Sequence, residues 1–221
     1  MIGLVDYGAG NLTSVKKALT ALGTAFKVPQ TPEDCADVSG LIVPGVGHFS
    51  ATTALGAPWR DAIVVAVEAG TPLLGICVGM QWLFEGSEEA PDVPGLGVLK
   101  GTCRLLRGDA PQRVKIPHVG WNALESPFGF NGSESPRANG ADNGPPRLRG
   151  RLLAGLPPNP HVYFTHSFAV PVTSDCVAST THAERFAAAV ERDRVFGVQF
   201  HPEKSGDAGL QILRNFLAIC Q

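Results

Sequence analysis

Short apolar runs alternate with helical spacings along the first half of this 221-residue chain. Residues 2–5 (Ile-Gly-Leu-Val) read as a strand. From Leu12 the apolar positions Leu12, Val15, Leu19 and Leu22 recur at steps of three and four, the mark of an amphipathic helix. Further strands are expected near 25–28 and at 41–43 (Leu-Ile-Val). Pro58 sits where a proline is tolerated at a helix start, and that helix is expected to end at Gly70. Residues 73–76 (Leu-Leu-Gly-Ile) predict a buried strand that feeds directly into a helix ending at about Phe84. Strands alternating with helices imply right-handed crossovers and a mostly parallel sheet covered on both faces.

The second half has a different rhythm. Residues 97–106, 112–118, 161–170, 176–181, 187–192 and 194–200 all read as extended, so part of the sheet is expected to be antiparallel. A last helix from about Asp207 carries Leu210, Leu213, Phe216 and Leu217 on one side. Residues 126–150 are rich in Gly, Pro, Ser, Asn and Arg, a composition that cannot bury a core and predicts a mobile surface loop. The expected fold is α/β: one domain over 1–221, a sandwich with a mixed, mostly parallel central sheet and helices on both faces.

Composition narrows the classes. Apolar residues make up 44% and charged residues 17%, which suits a globular enzyme rather than a disordered chain. A formal charge of −2 gives no global attraction for nucleic acid or an anionic membrane. The stretch between Glu68 and Glu85 is uncharged, but Pro72, Gly75, Gly79 and Gln81 interrupt it, so it predicts a strand and a helix instead of a membrane span. The amino terminus reads as no secretory signal. Five scattered cysteines without a Cys-x-x-Cys pair indicate neither a disulfide framework nor a zinc site, and fit a reducing cytoplasm.

Three segments carry candidate chemistry. Gly75-Ile-Cys-Val-Gly79 places a nucleophile between two glycines after a buried strand and before a helix, the elbow pattern; a helix amino terminus there would favour thiolate. The bland alternative is a buried cysteine in a turn. Val195-Phe-Gly-Val-Gln-Phe-His-Pro-Glu203 offers a base and an orienter, because alternation along extended chain would aim His201 and Glu203 to one face. By itself a His-Pro-Glu is commonly an ordinary loop. Pro44-Gly-Val-Gly47, after the strand at 41–43, could turn backbone amides toward a developing oxyanion. Tyr7-Gly-Ala-Gly10 lacks the full Gly-x-Gly-x-x-Gly spacing and is not read as a dinucleotide site.

Taken in order, Pro-Gly-Val-Gly, Gly-Ile-Cys-x-Gly-Met-Gln and Gly-Val-Gln-Phe-His-Pro-Glu-Lys-Ser resemble the triad-type (class I) glutamine amidotransferases. Within them the chain is similar to the glutaminase subunits of imidazole glycerol phosphate synthase. That likeness rests on Asp6-Tyr-Gly-Ala-Gly-Asn-Leu12, Pro117-His-Val-Gly-Trp-Asn122, Phe164-Thr-His-Ser-Phe168 and Lys204-Ser205. It runs nearly end to end, apart from 126–150, which is longer and more polar than the family carries. The resemblance implies Cys77 as nucleophile, His201 as base and Glu203 as orienter. It implies Val46 and Val78 as oxyanion amides, and Gly47, Gln81, Glu89, Ser167 and Phe168 around the glutamine. For Gln81 and Glu89 the alternative is a solvated helix face. His118 and His166 are expected to be packed, hydrogen-bonded histidines.

The resemblance further implies no metal or organic cofactor, L-glutamine as substrate, and a heterodimer with a cyclase subunit of (β/α)8 fold. Asn11, Trp121 and Lys204 are the candidates for that interface. Two other readings stay open: the glutaminase of anthranilate, aminodeoxychorismate or pyridoxal phosphate synthesis, and a non-catalytic partner-binding subunit. Glycines on both sides of Val46 also make a peptide reorientation accessible, so the isolated chain is expected to hold that amide away from the oxyanion position.

Overall fold

A computed structural model describes residues 1–107, 114–127 and 148–221 of the chain. Its main sheet has seven strands: β1 (Ile2–Leu4), β2 (Phe26–Lys27), β3 (Gly40–Gly45), β4 (Leu73–Cys77), β10 (Cys176–His182), β11 (Glu184–Arg192) and β12 (Val195–Val198). They lie in the order β10-β11-β12-β4-β3-β1-β2. The five from β12 to β2 pair in parallel, while β11 runs antiparallel to both β12 and β10. The mixed, mostly parallel sheet is therefore present. Its two central strands, β3 and β4, are buried at every residue, as continuous apolar runs covered on both faces require.

Two smaller assemblies flank it. Strands β5 (Gly86–Ser87), β6 (Thr102–Leu105) and β9 (Phe168–Ala169) form a three-stranded sheet; β7 (His118–Ala123) and β8 (His161–His166) form an antiparallel pair with His118 opposite His166. Of the extended runs expected at 97–106 and 112–118, the first is shorter than expected and the second is displaced. The first contracts to β6, and the described part of the second leads into a strand that begins at His118. Residues 112–113 lie outside the described residues, as do 128–147 of the loop expected at 126–150. The run 161–170 breaks at Ser167 into β8 and β9.

The helices follow the apolar spacing. In α1 (Leu12–Ala21) Leu12, Val15, Ala18 and Leu19 are buried; Leu22 falls at the cap and is half-buried. Helix α2 (Ala57–Glu68) opens with Pro58 in its first turn, and the chain turns at Gly70 with φ +101°. Helix α4 (Gly206–Ile219) buries Gly209, Ile212, Leu213 and Phe216, a stripe rotated from the expected one, so that Leu210 and Leu217 are half-buried. The rotation follows from Gly209, where an added Cβ would collide with the Pro202 carbonyl, so this face lies close against the turn before it. Among the described residues no helix is long and apolar enough to cross a membrane.

Candidate active site

Strand order brings the three motif segments together. β12, β4 and β3 are parallel neighbours, so residues following their carboxyl ends share one edge. Pro44-Gly-Val-Gly47 leaves β3, Cys77 ends β4, and Gln199 to His201 follow β12.

Helix α3 (Val78–Trp82) starts directly after β4, and the reversal falls on Cys77 itself, at φ 54° and ψ −111°. Holding a non-glycine residue in such a region costs roughly 1–3 kcal/mol, which the surrounding packing must impose. The flanking glycines explain how. A Cβ on Gly75 would stand 2.6 Å from the Gly79 oxygen, and one on Gly79 would overlap the Val43 carbonyl, so α3 can sit on β3 and β4 only without those side chains. The helix ends at Trp82, short of the expected Phe84, and one short turn adds little dipole at the sulfur.

Polar groups set the field instead, an amide N–H favouring thiolate and a carbonyl oxygen favouring thiol. Cys77 is 3% exposed, with the Gln199 amide nitrogen 3.6 Å from its sulfur and the Thr165 carbonyl at 3.9 Å. His201 Nδ1 lies 2.9 Å from Glu203 Oε1, both side chains buried. Strand alternation is not what pairs them, contrary to the sequence expectation. β12 ends at Val198, and Pro202–Lys204 form a 3-10 turn that folds Glu203 back onto the ring. Burial works against the imidazolium, but interactions with Cys77 and with Glu203 outweigh it and raise the His201 pKa above the usual histidine value. With Nδ1 engaged by the carboxylate, Nε2 is the ring atom that can exchange a proton with the sulfur.

Cys77 opens on a cleft of about 150 Å³ lined besides by Val46, Gly47, Val78, Gln81, Glu89 and residues 165–168. All seven of the expected oxyanion and substrate residues therefore converge on it. Gln81 is 2% exposed, so it is no solvated helix face. Its amide nitrogen donates to the Phe168 carbonyl at 2.9 Å and to Gln199 Oε1 at 3.1 Å. Glu89 lies in the turn after β5 rather than on a helix, and its Oε2 accepts from the Phe49 amide at 2.8 Å. The Val46 N–H points elsewhere: it donates to the Ala9 carbonyl at 2.7 Å. An oxyanion would therefore meet that amide only after the peptide turned.

Two residues near the sulfur escaped the sequence reading. Gln199 shares a face with His201 by the same period of two that buries Phe200 on the other side, a signal present in Val198-Gln-Phe-His201. Tyr7 buries its hydroxyl beside Gly45, and burial, then the Cys77 charge, push its pKa upward. Nothing in the sequence marks that residue beyond its place in a glycine-rich turn.

Two of the expected interface residues, Trp121 and Lys204, meet at one ring. Trp121, 56% exposed on β7, meets the Tyr163 ring edge-on at 6.2 Å, and Lys204 Nζ stands 5.8 Å from the same ring. Asn11 precedes α1, which packs against the turn carrying Lys204. Val119, 58% exposed, extends the apolar surface along β7. Among the described residues no cluster of His, Cys, Asp and Glu could hold a metal ion.

A buried thiol at a strained elbow, a carboxylate-held imidazole and a small cleft beside them are an arrangement that can carry cysteine-dependent acyl transfer. The family model for class-I glutamine amidotransferases matches residues 3–220, and the chain belongs to that family. Within it, similar proteins include HisH subunits of imidazole glycerol phosphate synthase. The Geobacillus thermodenitrificans protein is 43% identical, covering 99% of this chain and 96% of its own. That of Deinococcus radiodurans is 42% identical, covering 96% and 91%; that of Thermococcus kodakarensis is 39% identical, covering 98% of both. Among solved structures, one titled as a glutamine amidotransferase superimposes with TM-score 0.68 at 21% identity over 99% of this chain and 98% of its own. PurLQS from Thermotoga maritima gives 0.64 at 20% over 100% and 98%, so these two attest the fold.

Proposed function

We propose that this chain is the glutaminase subunit of an imidazole glycerol phosphate synthase, hydrolysing L-glutamine and delivering ammonia to a cyclase subunit in histidine biosynthesis. The observation that carries the reading is the conjunction of Cys77 at a strained elbow with the buried His201–Glu203 pair, in a chain about 42% identical to a HisH subunit. Cys77 sulfur attacks the glutamine carboxamide carbon while His201 takes the thiol proton. The Val78 amide, and that of Val46 once turned, stabilise the oxyanion. Collapse breaks the C–N bond, His201 protonates the leaving nitrogen, and ammonia departs from a glutamyl thioester. Water, deprotonated by His201, attacks the thioester; glutamate leaves and the proton returns to sulfur. Gly47, Gln81, Glu89, Ser167 and Phe168 hold the amino-acid part of the substrate. No step calls for a metal or organic cofactor.

The whole chain acts as one amidotransferase domain in a heterodimer, docked on a (β/α)8 cyclase through Asn11, Trp121 and Lys204. Five buried free cysteines suit a reducing cytoplasm. The Trp121-Asn122 and Lys204-Ser205 motifs favour this pairing over other amidotransferase synthases. The test is co-purification with the cyclase and a glutamine-dependent assay for imidazole glycerol phosphate. A stable complex that makes product from ammonium but never from glutamine would sink the reading.

A further inference from the structure

A chain of polar side chains runs from the β7–β8 pair to the candidate nucleophile, and one fixed acceptor assigns its polarity atom by atom. The Phe168 carbonyl can only accept. His166 Nδ1 and Gln81 Nε2 each lie 2.9 Å from it, so both donate. Neutral His166 then has Nε2 as acceptor, and His118 Nδ1, 3.1 Å away, carries the proton between them. That leaves His118 Nε2 to accept from Asn122 Nδ2 at 3.4 Å, a nitrogen that also donates to the Thr181 carbonyl at 3.0 Å. Burial holds both imidazoles neutral, which the assignment needs.

In the other direction the second amide proton of Gln81 goes to Gln199 Oε1, 3.1 Å away. Both protons of Gln81 are thus committed, and its oxygen is the group it can present to the cleft. The Gln199 oxygen is committed as well, so its nitrogen is the atom that faces the Cys77 sulfur at 3.6 Å. Gln199 is fully buried, and these contacts satisfy its amide. A buried N–H aimed at sulfur favours thiolate over thiol, because a donor stabilises the charged form.

We propose that Gln199 is a further catalytic residue, stabilising the Cys77 thiolate through its amide N–H, and that His166 and His118 are positioning residues fixing the Gln81 and Gln199 amides in this orientation. The inference rests on Cys77 being the nucleophile. Of the other ionisable groups, His201 interacts with the sulfur directly, Tyr7 and Cys103 lie within its electrostatic reach, and Glu89 and His166 line the same cleft.

The test is the pH profile of Cys77 alkylation by iodoacetamide, read by peptide mass in the full chain, beside glutaminase kinetics of the complex with cyclase. Gln199→Leu should move the alkylation midpoint up by about one pH unit, and Gln199→Glu, isosteric but unable to donate when ionised, at least as far. His166→Phe should raise KM for glutamine about ten-fold with kcat within about three-fold, and His166→Gln, whose amide can donate to Phe168, should recover most of it. An unmoved midpoint in both folded Gln199 variants overturns the role of Gln199. Equal losses for His166→Phe and His166→Gln overturn the positioning role. Should Gln199→Leu fail to fold, Gln199→Glu decides. A wild-type complex without glutaminase activity would instead count against the proposed function itself.

Discussion

Histidine is buried in two regions of this molecule, and burial has opposite consequences. Beside the proposed nucleophile, His201 is 1% exposed and its pKa is raised, because hydrogen bonds to Cys77 and Glu203, together with their negative charge, outweigh desolvation. On the β7–β8 pair, His118 and His166 are almost as buried, yet desolvation takes their pKa values down to about 4 and about 3. Their neighbours are one another, His182 and the rings of Phe164 and Phe186. Depth alone does not decide protonation; the charge of the partners does. One region is arranged to exchange a proton, the other to keep its protons in place.

The strongest way to break this comparison is to remove the sulfur. Cys77→Ala in the assembled enzyme should reduce glutamine-dependent synthesis to background, since no thioester can form, while ammonium at alkaline pH still feeds the cyclase. Glutamine turnover comparable to wild type would rule out Cys77 as nucleophile and leave His201 with no proton to move.

The next effect concerns whether the proton-exchanging region is complete in the chain alone. The Val46 amide is held by the Ala9 carbonyl, away from any oxyanion. One missing oxyanion donor typically costs on the order of 10²–10³ in rate, so cyclase with its substrate or a stable analogue should stimulate glutaminase at least that much. The ligand can favour the turned peptide only by binding that state better, and glutamine should then bind more tightly in return. Full activity of the purified chain by itself would end the gating idea while the Cys77 assignment stood.

The two histidine regions should also differ in stability against pH. His118 and His166 have folded-state pKa values below the unfolded value of about 6.5, so the unfolded chain binds protons first as pH falls. Their contribution is full above about 6.5 and is lost progressively toward about 4 for His118 and about 3 for His166, at up to about 1.4 kcal/mol per pH unit for each ring. One kcal/mol corresponds to about 2–4 °C of melting temperature in a chain of this size. His201 has the opposite sign: its raised pKa stabilises the fold at low pH and that contribution fades as pH climbs above the ordinary histidine range. Melting curves between pH 7 and 5 should therefore show a slope that His118→Phe makes shallower. An identical slope in that variant would show that the ring titrates normally in the folded chain.

How much of this was legible beforehand differs by region. The elbow could be read because steric necessity is written as glycine: Gly75 and Gly79 have no side chain where α3 meets β3 and β4. Parallel strands could be read because burial on both faces leaves unbroken apolar runs such as Leu73-Leu-Gly-Ile76. The His201–Glu203 pair was anticipated for the wrong reason, since a turn begun by Pro202, not strand alternation, brings the groups together. The histidine region was legible in part: His118 and His166 are packed and hydrogen-bonded as expected, but their pairing was not foreseen, because it joins residues 48 apart across the β7–β8 register, which no local pattern encodes. The bounds of β6 and the position of β7 were missed for a related reason: short strands outside the main sheet have no strict alternation to mark them.

The smallest effect is expected at Tyr7, a third buried titratable group that tests whether partners set the outcome of burial. Its hydroxyl has no hydrogen-bond partner among the described residues and lies against Gly45, close to the Val78–Gly79 backbone. Desolvation and the nearby Cys77 raise its pKa, so it stays a neutral phenol throughout the working range. A buried hydroxyl without a partner forfeits its water hydrogen bonds, a cost of about 1–3 kcal/mol that a phenylalanine avoids while filling the same ring volume. Tyr7→Phe should therefore be neutral to mildly stabilising, by about 1 kcal/mol, with glutaminase activity of the complex within about two-fold of wild type. Denaturant unfolding of the chain and steady-state assays of the complex read both quantities. A ten-fold loss of kcat with stability unchanged would mean that the hydroxyl finds its partner only in the reacting complex, and that Tyr7 belongs with the groups around the sulfur.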